Sequence, residues 1–167
     1  MQKIKLLSFA LPVLLLLMSG KMIDHKNVLN ADLIIGNWQP SDGRSVVNIY
    51  KGTGKNGEKT DKYYGKIVWL LEPNDPDGKP RTDKLNPEES KRSTPLKGLV
   101  IVRDLEFTGS GNELIWEEGS IYDPKNGSDY SFEAKMTKKN TNLLDGRGYI
   151  GISLIGRTDT WRRLVKK

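Results

Sequence analysis

The chain has 167 residues, no cysteine and a single histidine, His25. Without cysteine there are no disulfides, thiolate metal sites or cysteine nucleophiles. The residues after His25 contain no histidine, so they lack the common nucleophile–base triads and the usual zinc sites. The formal net charge is +6, of which residues 1–31 contribute +3 through four lysines and one aspartate. The remaining charges are mixed in sign and form no basic stripe, so we expect no nucleic-acid partner.

The N-terminal segment has the pattern of a secretory signal. Lys3 and Lys5 precede an apolar run from Leu6 to Met18, which is shorter than the about 20 apolar residues of a membrane-spanning helix. We therefore expect residues 1–31 to be a signal peptide, cleaved after residue 20 or residue 31. The protein is then exported, either periplasmic or secreted, with no integral membrane span after signal removal. No cysteine follows the apolar run, so a lipoprotein-type anchor is excluded.

The remaining residues, 32–167, are predicted to form one domain of about eight short strands. A strand or short turn at 33–38 is followed by strands at 44–51, 63–71, 98–107, 113–122 and 129–136 and by two closing strands at 143–150 and 152–164. Short turns in simple succession favour an up-and-down antiparallel barrel, with a two-sheet sandwich as the alternative. Residues 72–97 form a long charged loop that is either a lid or binding loop or a tolerated surface insertion.

The turn at 123–127 is the most clearly defined hairpin. Its sequence is Asp-Pro-Lys-Asn-Gly, in which proline fixes φ near −65° and the terminal glycine tolerates positive φ. We expect a loop of four or five residues, with Gly127 as the structural residue that closes it.

Several motifs together resemble a known bacterial family, domain of unknown function 2147. They are Gly36-Asn37-Trp38, the block from Trp116 to Tyr130, Gly146-Arg147-Gly148-Tyr149 and the ending Gly156 to Arg163. The resemblance implies an exported, lipocalin- or calycin-like barrel and brings no catalytic residue with it. It also implies a structural role for Trp38, which would lie across the closed end of the barrel under an arginine of the last strand, Arg163 or Arg162.

Two acidic segments have features of a metal site or a catalytic site. Residues 74–78 resemble a calcium loop, but an EF-hand alignment puts Pro73 at the first position and Lys84 at the twelfth, where glutamate is required. Glu117 and Glu118 are adjacent on a strand and point to opposite faces, so they cannot converge as a glycosidase pair. We expect no catalytic residue, no metal and no cofactor, and hence no enzyme.

A small-molecule site is the leading functional prediction. Aromatic residues fall on several predicted strands and either line an apolar cavity or fill the barrel; they are Trp69, Trp116, Tyr130, Phe132 and Trp161. Arg147 is the candidate inward charge for an anionic head-group, with Asp145 as its possible internal partner. The predicted function is binding of a small hydrophobic or amphipathic molecule through Trp69, Trp116, Tyr130 and Arg147. The alternative is an envelope interaction protein with a filled barrel that acts through its loops.

Overall fold

The computed structural model describes residues 30–53, 57, 59–109 and 113–165. The strands are β1 (Gly36–Gln39), β2 (Ser45–Thr53), β3 (Lys59–Leu70), β4 (Val100–Phe107), β5 (Glu113–Asp123), β6 (Ser128–Thr137), β7 (Asn140–Tyr149) and β8 (Gly156–Leu164). Short 3-10 helices span Asp32–Ile34 and Glu89–Lys91. Within the described ranges, no helix has the length and apolar character to cross a bilayer. All of the predicted signal peptide except its last two residues lies outside the described residues.

The eight strands form a closed antiparallel barrel in chain order. Each strand pairs with the next, and β8 pairs with β1 so that Trp38 lies opposite Arg163. The predicted up-and-down barrel is confirmed, and the sandwich alternative is wrong. Closure leaves no unpaired sheet edge, which is the usual reason that a chain of short strands adopts a barrel.

β-Bulges decide which side chains face inward. Along β2 and β3 the register shifts between Val46 and Val47, whose partners are Trp69 and Ile67. The shift adds one residue to β3, and an added residue reverses the alternation of the side chains that follow it. Trp69, which the uninterrupted alternation places inside with Ile67, is consequently 43% exposed on the outer surface. Leu70 lines the interior instead.

The hairpin between β5 and β6 has the predicted geometry. Gly127 has φ +71°, and its amide donates to the carbonyl of Asp123 at 2.8 Å. A side chain at this position would also collide with the backbone carbonyl of Leu85. The glycine is required by the turn and by the loop that packs on it.

Two connections differ from simple turns. The predicted strand at 152–164 begins only at Gly156, because residues 150–155 form a turn in which Gly151 has φ +73°. We call this segment, 150–155, the β7–β8 loop. The β3–β4 loop, residues 71–99, is held by two isolated bridges, Asn74–Pro80 and Thr82–Pro95. It is ordered by these internal contacts without a long helix.

Candidate functional site

One end of the barrel is sealed by Trp38. Its side chain is fully buried, its indole Nε1 donates to the carbonyl of Ile34 at 2.8 Å, and the Arg163 guanidinium lies 4.2 Å from the ring centroid. Arg163 also donates to the carbonyls of Leu33, Ile35 and Thr141. Burial lowers the pKa of Arg163. The predicted contact of Trp38 with an arginine of the last strand is therefore made by Arg163, whereas Arg162 lies exposed on the outer face. The structural role of the pair stays a prediction.

The glycine of the Gly-Asn-Trp motif makes room for this arginine. Gly36 has φ +144°, and a Cβ there would lie 2.7 Å from Nη1 of Arg163. Any larger residue would displace the guanidinium from the ring of Trp38. The Gly-Asn-Trp motif therefore supplies both the ring of Trp38 and the space that Arg163 needs to contact it.

The segment before β1 closes the same end. Trp116 is fully buried and donates from Nε1 to the carbonyl of Ala31 at 3.1 Å. The Asp32 carboxylate accepts from the hydroxyl of Tyr63 at 2.6 Å and from Lys51 at 3.3 Å. Burial, followed by the bond to Asp32, raises the pKa of Tyr63. Residues from Ala31 onward are thus integral to the fold.

The opposite half of the barrel is hollow. It holds a cavity of about 1260 Å³ that opens between the β1–β2, β3–β4, β5–β6 and β7–β8 connections. We call this opening the mouth. The inner wall is mostly apolar and consists of Val47, Ile67, Ile101, Tyr130, Phe132, Gly146, Gly148 and Trp161.

The cavity exists because the inward-facing positions of β7 near the mouth are glycines, which have no side chain. On β7, Leu144 is fully buried near the closed end, and the next inward positions are Gly146 and Gly148, both on the cavity wall. A Cβ on Gly148 would meet Ile121 and Tyr130 only at 3.6 and 3.8 Å, which is ordinary contact. The cavity and filled-barrel predictions therefore each describe one half of the barrel.

The three aromatic residues predicted for the ligand site are not brought together. Tyr130 lies on the cavity wall, with its hydroxyl accepting from Asn126 at 2.8 Å. Trp116 faces inward but packs in the filled half against Phe107, with ring centroids 5.3 Å apart. Trp69 lies outside the barrel because of the β3 bulge. The expected wall of Trp69, Trp116 and Tyr130 is wrong.

Phe132 and Trp161 form the aromatic part of the wall with Tyr130. The ring centroids of Phe132 and Trp161 are 5.9 Å apart. The Trp161 Nε1 donates to Asp159 at 3.0 Å. Asp159 also accepts from the Ser41 amide at 3.4 Å. The carboxylate therefore fixes the indole against the wall.

Arg147 points away from the cavity, so its predicted inward orientation is wrong. Its guanidinium donates to the carbonyl of Ser153 at 2.7 Å and to the hydroxyl of Thr158 at 2.9 Å. Its neighbours Gly146 and Gly148 line the cavity, and adjacent strand residues point to opposite faces. Asp145 shares the outer face with Arg147, but it accepts from Thr160 at 2.7 Å.

The inward arginine is Arg157, which sequence reasoning missed. It lies opposite Gly148 in the register of β7 and β8, so it shares the inward face and lines the mouth. The alternation on β8 contained the signal, because Arg157 has the same parity as the inward Trp161. Among the described residues, no carboxylate lies within salt-bridge distance of Arg157, whereas the mouth residues Arg44 and Arg81 both pair with Glu72, at 3.1 and 2.7 Å.

The sequence of the chain matches a known bacterial family. The family model for DUF2147, described as an uncharacterized protein conserved in bacteria, matches residues 36–163. The chain belongs to this family. No curated protein matches it significantly.

A solved structure supports the assignment of the fold. Protein HP1028 from the human pathogen Helicobacter pylori, described as belonging to the lipocalin family, aligns with a TM-score of 0.61 and 23% identity, over 78% of this chain and 82% of that chain. This chain thus has a lipocalin-like barrel fold. Among the described residues, no group of three or more acidic or histidine side chains is placed to hold a metal ion.

Proposed function

We propose that this DUF2147 protein binds a small amphipathic molecule of the fatty-acid class inside its barrel. The observation that carries the proposal is the cavity of about 1260 Å³ with an apolar inner wall. Ligand pockets are typically about 300–1,000 Å³ and mostly apolar, with a few polar groups that set orientation. Space is sufficient for a long hydrocarbon chain, and burying that chain supplies the driving force.

The distribution of charge orients the ligand. Formal charges near the cavity occur at its mouth and on Asp159, which already bonds Trp161. Of the cations at the mouth, Lys125 pairs with Asp42 at 2.9 Å, while Arg157 and Lys84 have no carboxylate within 4 Å among the described residues. An anionic head at the mouth would therefore meet Arg157, and the hydrocarbon chain would extend towards Phe132 and Trp161.

Titration with a fluorescent fatty acid tests binding directly. When a dansyl-labelled long-chain fatty acid binds to the wild type, we expect the fluorescence of Trp161 to be quenched and the dansyl emission to be enhanced, both in a saturable manner. Gly148→Leu is expected to weaken this binding, because the new side chain starts in ordinary contact with the wall and takes up part of the cavity. The unfolding midpoint of Gly148→Leu should be unchanged. Absence of saturable binding by the wild type, or full binding by Gly148→Leu, would contradict the proposal.

The head-group has its own test. Arg157→Met is expected to weaken fatty-acid binding by about tenfold or more, consistent with about 1.5 kcal/mol for a hydrogen bond to a charged group, while the methyl ester of the same acid binds as before. Arg162→Met is the matched control, because Arg162 lies exposed on the opposite face of the same strand. Equal losses for the acid and the ester would reject Arg157 as the head-group residue. Native mass spectrometry of protein from its own cell envelope identifies the natural ligand.

We also propose that the protein is exported. The support is the basic and apolar pattern of residues 3–18. Of the two cleavage positions, the one after residue 20 preserves the closed end. Cleavage after Ala31 would remove a buried methyl group and the carbonyl that accepts from Trp116.

A further inference from the structure

The β7–β8 loop is the most apolar exposed segment of the described chain. Ile150, Ile152, Leu154 and Ile155 are between 59 and 87% exposed. Monomeric proteins rarely expose contiguous large apolar side chains, and such patches mark interaction sites. The exposure therefore requires an explanation.

The loop is held in a defined position next to the mouth. The Ser153 carbonyl accepts from Arg147 at 2.7 Å, and the Ser153 hydroxyl donates to Glu133 at 3.2 Å. Ile150 and Ile155 line the mouth, whereas Ile152 and Leu154 do not line the cavity. The last two side chains consequently project into solvent, where a ligand in the barrel cannot cover them.

The charges within the segment 146–158 are all positive, and the carboxylate that contacts the loop, Glu133, is buried. Arg147 and Arg157 flank the loop, and residues 146–158 contain no aspartate or glutamate. Lys84, also at the mouth, has no carboxylate within 4 Å among the described side chains. Further exposed apolar residues lie at the same end of the barrel, namely Leu71 on the rim and Leu85 of the β3–β4 loop.

We propose that the β7–β8 loop inserts into the surface of a lipid bilayer that carries anionic head-groups, with the barrel mouth facing the membrane. Aliphatic side chains bounded by arginines match the acyl and phosphate layers of such a surface. A stable protein interface buries about 20–30 residues a side with complementary shape, and a six-residue loop with two projecting side chains offers neither. A bilayer requires no complementary shape. The inference goes beyond ligand binding and does not depend on an occupied cavity.

Site-specific fluorescence on the full chain tests this orientation. Because the chain has no cysteine, Leu154→Cys places an environment-sensitive NBD label on the loop alone. Lys139→Cys places the same label on the exposed β6–β7 turn at the opposite end. In both chains the apolar N-terminal segment leads into the closed end, so membrane binding by that segment would bring the label at 139, and not the label at 154, towards the bilayer. The probes are vesicles of phosphatidylglycerol and phosphatidylethanolamine with and without doxyl-labelled lipid.

With vesicles, we expect the label at 154 to shift to the blue and to be quenched by doxyl lipid, while the label at 139 stays in water. An unshifted label at 154 on vesicle-bound chain, or equal quenching at 139, would overturn the proposal. A concentration-dependent blue shift without vesicles would also overturn it, because a second copy would then cover the loop.

Partitioning gives a second measurement. Ile152→Asp combined with Leu154→Asp is expected to lower the vesicle partition coefficient by about tenfold or more, which corresponds to about 1.4 kcal/mol. The matched control is Leu143→Asp combined with Leu164→Asp, which changes two exposed leucines near the closed end. Equal losses in the two variants would show that general hydrophobicity, rather than the loop, drives binding.

Discussion

The carboxyl group of Asp83 is fully buried where the β3–β4 loop meets the barrel, and we use it to test how this loop is held. It accepts from the hydroxyl of Tyr122 at 2.8 Å and from the side-chain amide of Asn86 at 2.7 Å. Asn86 belongs to the same loop, so of these two donors to Asp83 it is Tyr122, from β5, that joins the loop to the barrel. Tyr122→Phe removes this bond and leaves a buried acceptor with one donor fewer. A loss of this kind costs about 1.5–3 kcal/mol of unfolding free energy.

The pH dependence of the unfolding free energy reports on the environment of the same Tyr122 hydroxyl. Burial, followed by the bond to Asp83, raises the pKa of Tyr122 to about 12, against about 10 for an ordinary tyrosine. A raised pKa contributes stability that is complete below about pH 10 and is lost as the pH rises through about 12. At about 1.4 kcal/mol per pKa unit, the shift corresponds to roughly 3 kcal/mol, of which burial is the larger cause and the bond to Asp83 the smaller.

Urea unfolding followed by tryptophan fluorescence measures both effects. At about pH 8, Tyr122→Phe is expected to be less stable than the wild type by the amount above, and the difference should shrink between about pH 10 and pH 12. Tyr149→Phe is the control, because the Tyr149 hydroxyl has no hydrogen bond among the described residues. A difference below about 0.5 kcal/mol at pH 8, or one that does not change with pH, would refute the reasoning.

Three further outcomes are expected. Trp38→Ala should lower the unfolding free energy by about 3–5 kcal/mol in urea, and a loss below about 0.5 kcal/mol would contradict the seal. Gly127→Ala should destabilise more than Gly151→Ala in thermal unfolding, because both have positive φ but only Gly127 also faces the Leu85 carbonyl. N-terminal sequencing of the exported protein should find Ala31 retained, and a mature chain starting at residue 32 would contradict the proposed role of its carbonyl.

The barrel was predictable because its determinants are local. Alternation along β6 and the Asp-Pro-Lys-Asn-Gly turn require no knowledge of distant residues. Gly127 could be assigned for the same reason, since a turn type is recognisable within a few positions, whereas the role of Trp38 was implied by the resemblance to a known family. The boundary of β8 was less accessible, because the apolar β7–β8 loop has the composition of a strand.

The ligand site was less predictable because side-chain direction depends on register. A single added residue in β3 moved Trp69 to the surface. Arg147 and Arg157 lie in similar glycine-rich surroundings, and the inward arginine is distinguished by its parity with Trp161 on β8 together with its pairing with Gly148. Bulges are set by packing between strands that are distant in sequence, so alternation within one strand cannot reveal them.

Inward side chains change in size along the barrel axis, and this gradient separates stability from binding. β8 carries Trp161, Asp159 and Arg157 from the interior to the mouth, while β7 carries Leu144 and then two glycines. Side chains near the closed end contact one another, so removing one leaves a cavity in packed protein. Side chains near the mouth border empty space, so a change there alters the shape and charge offered to a ligand with little effect on packing. Under the proposed function, natural variation at the mouth changes ligand preference while the contact between Trp38 and Arg163 preserves the barrel.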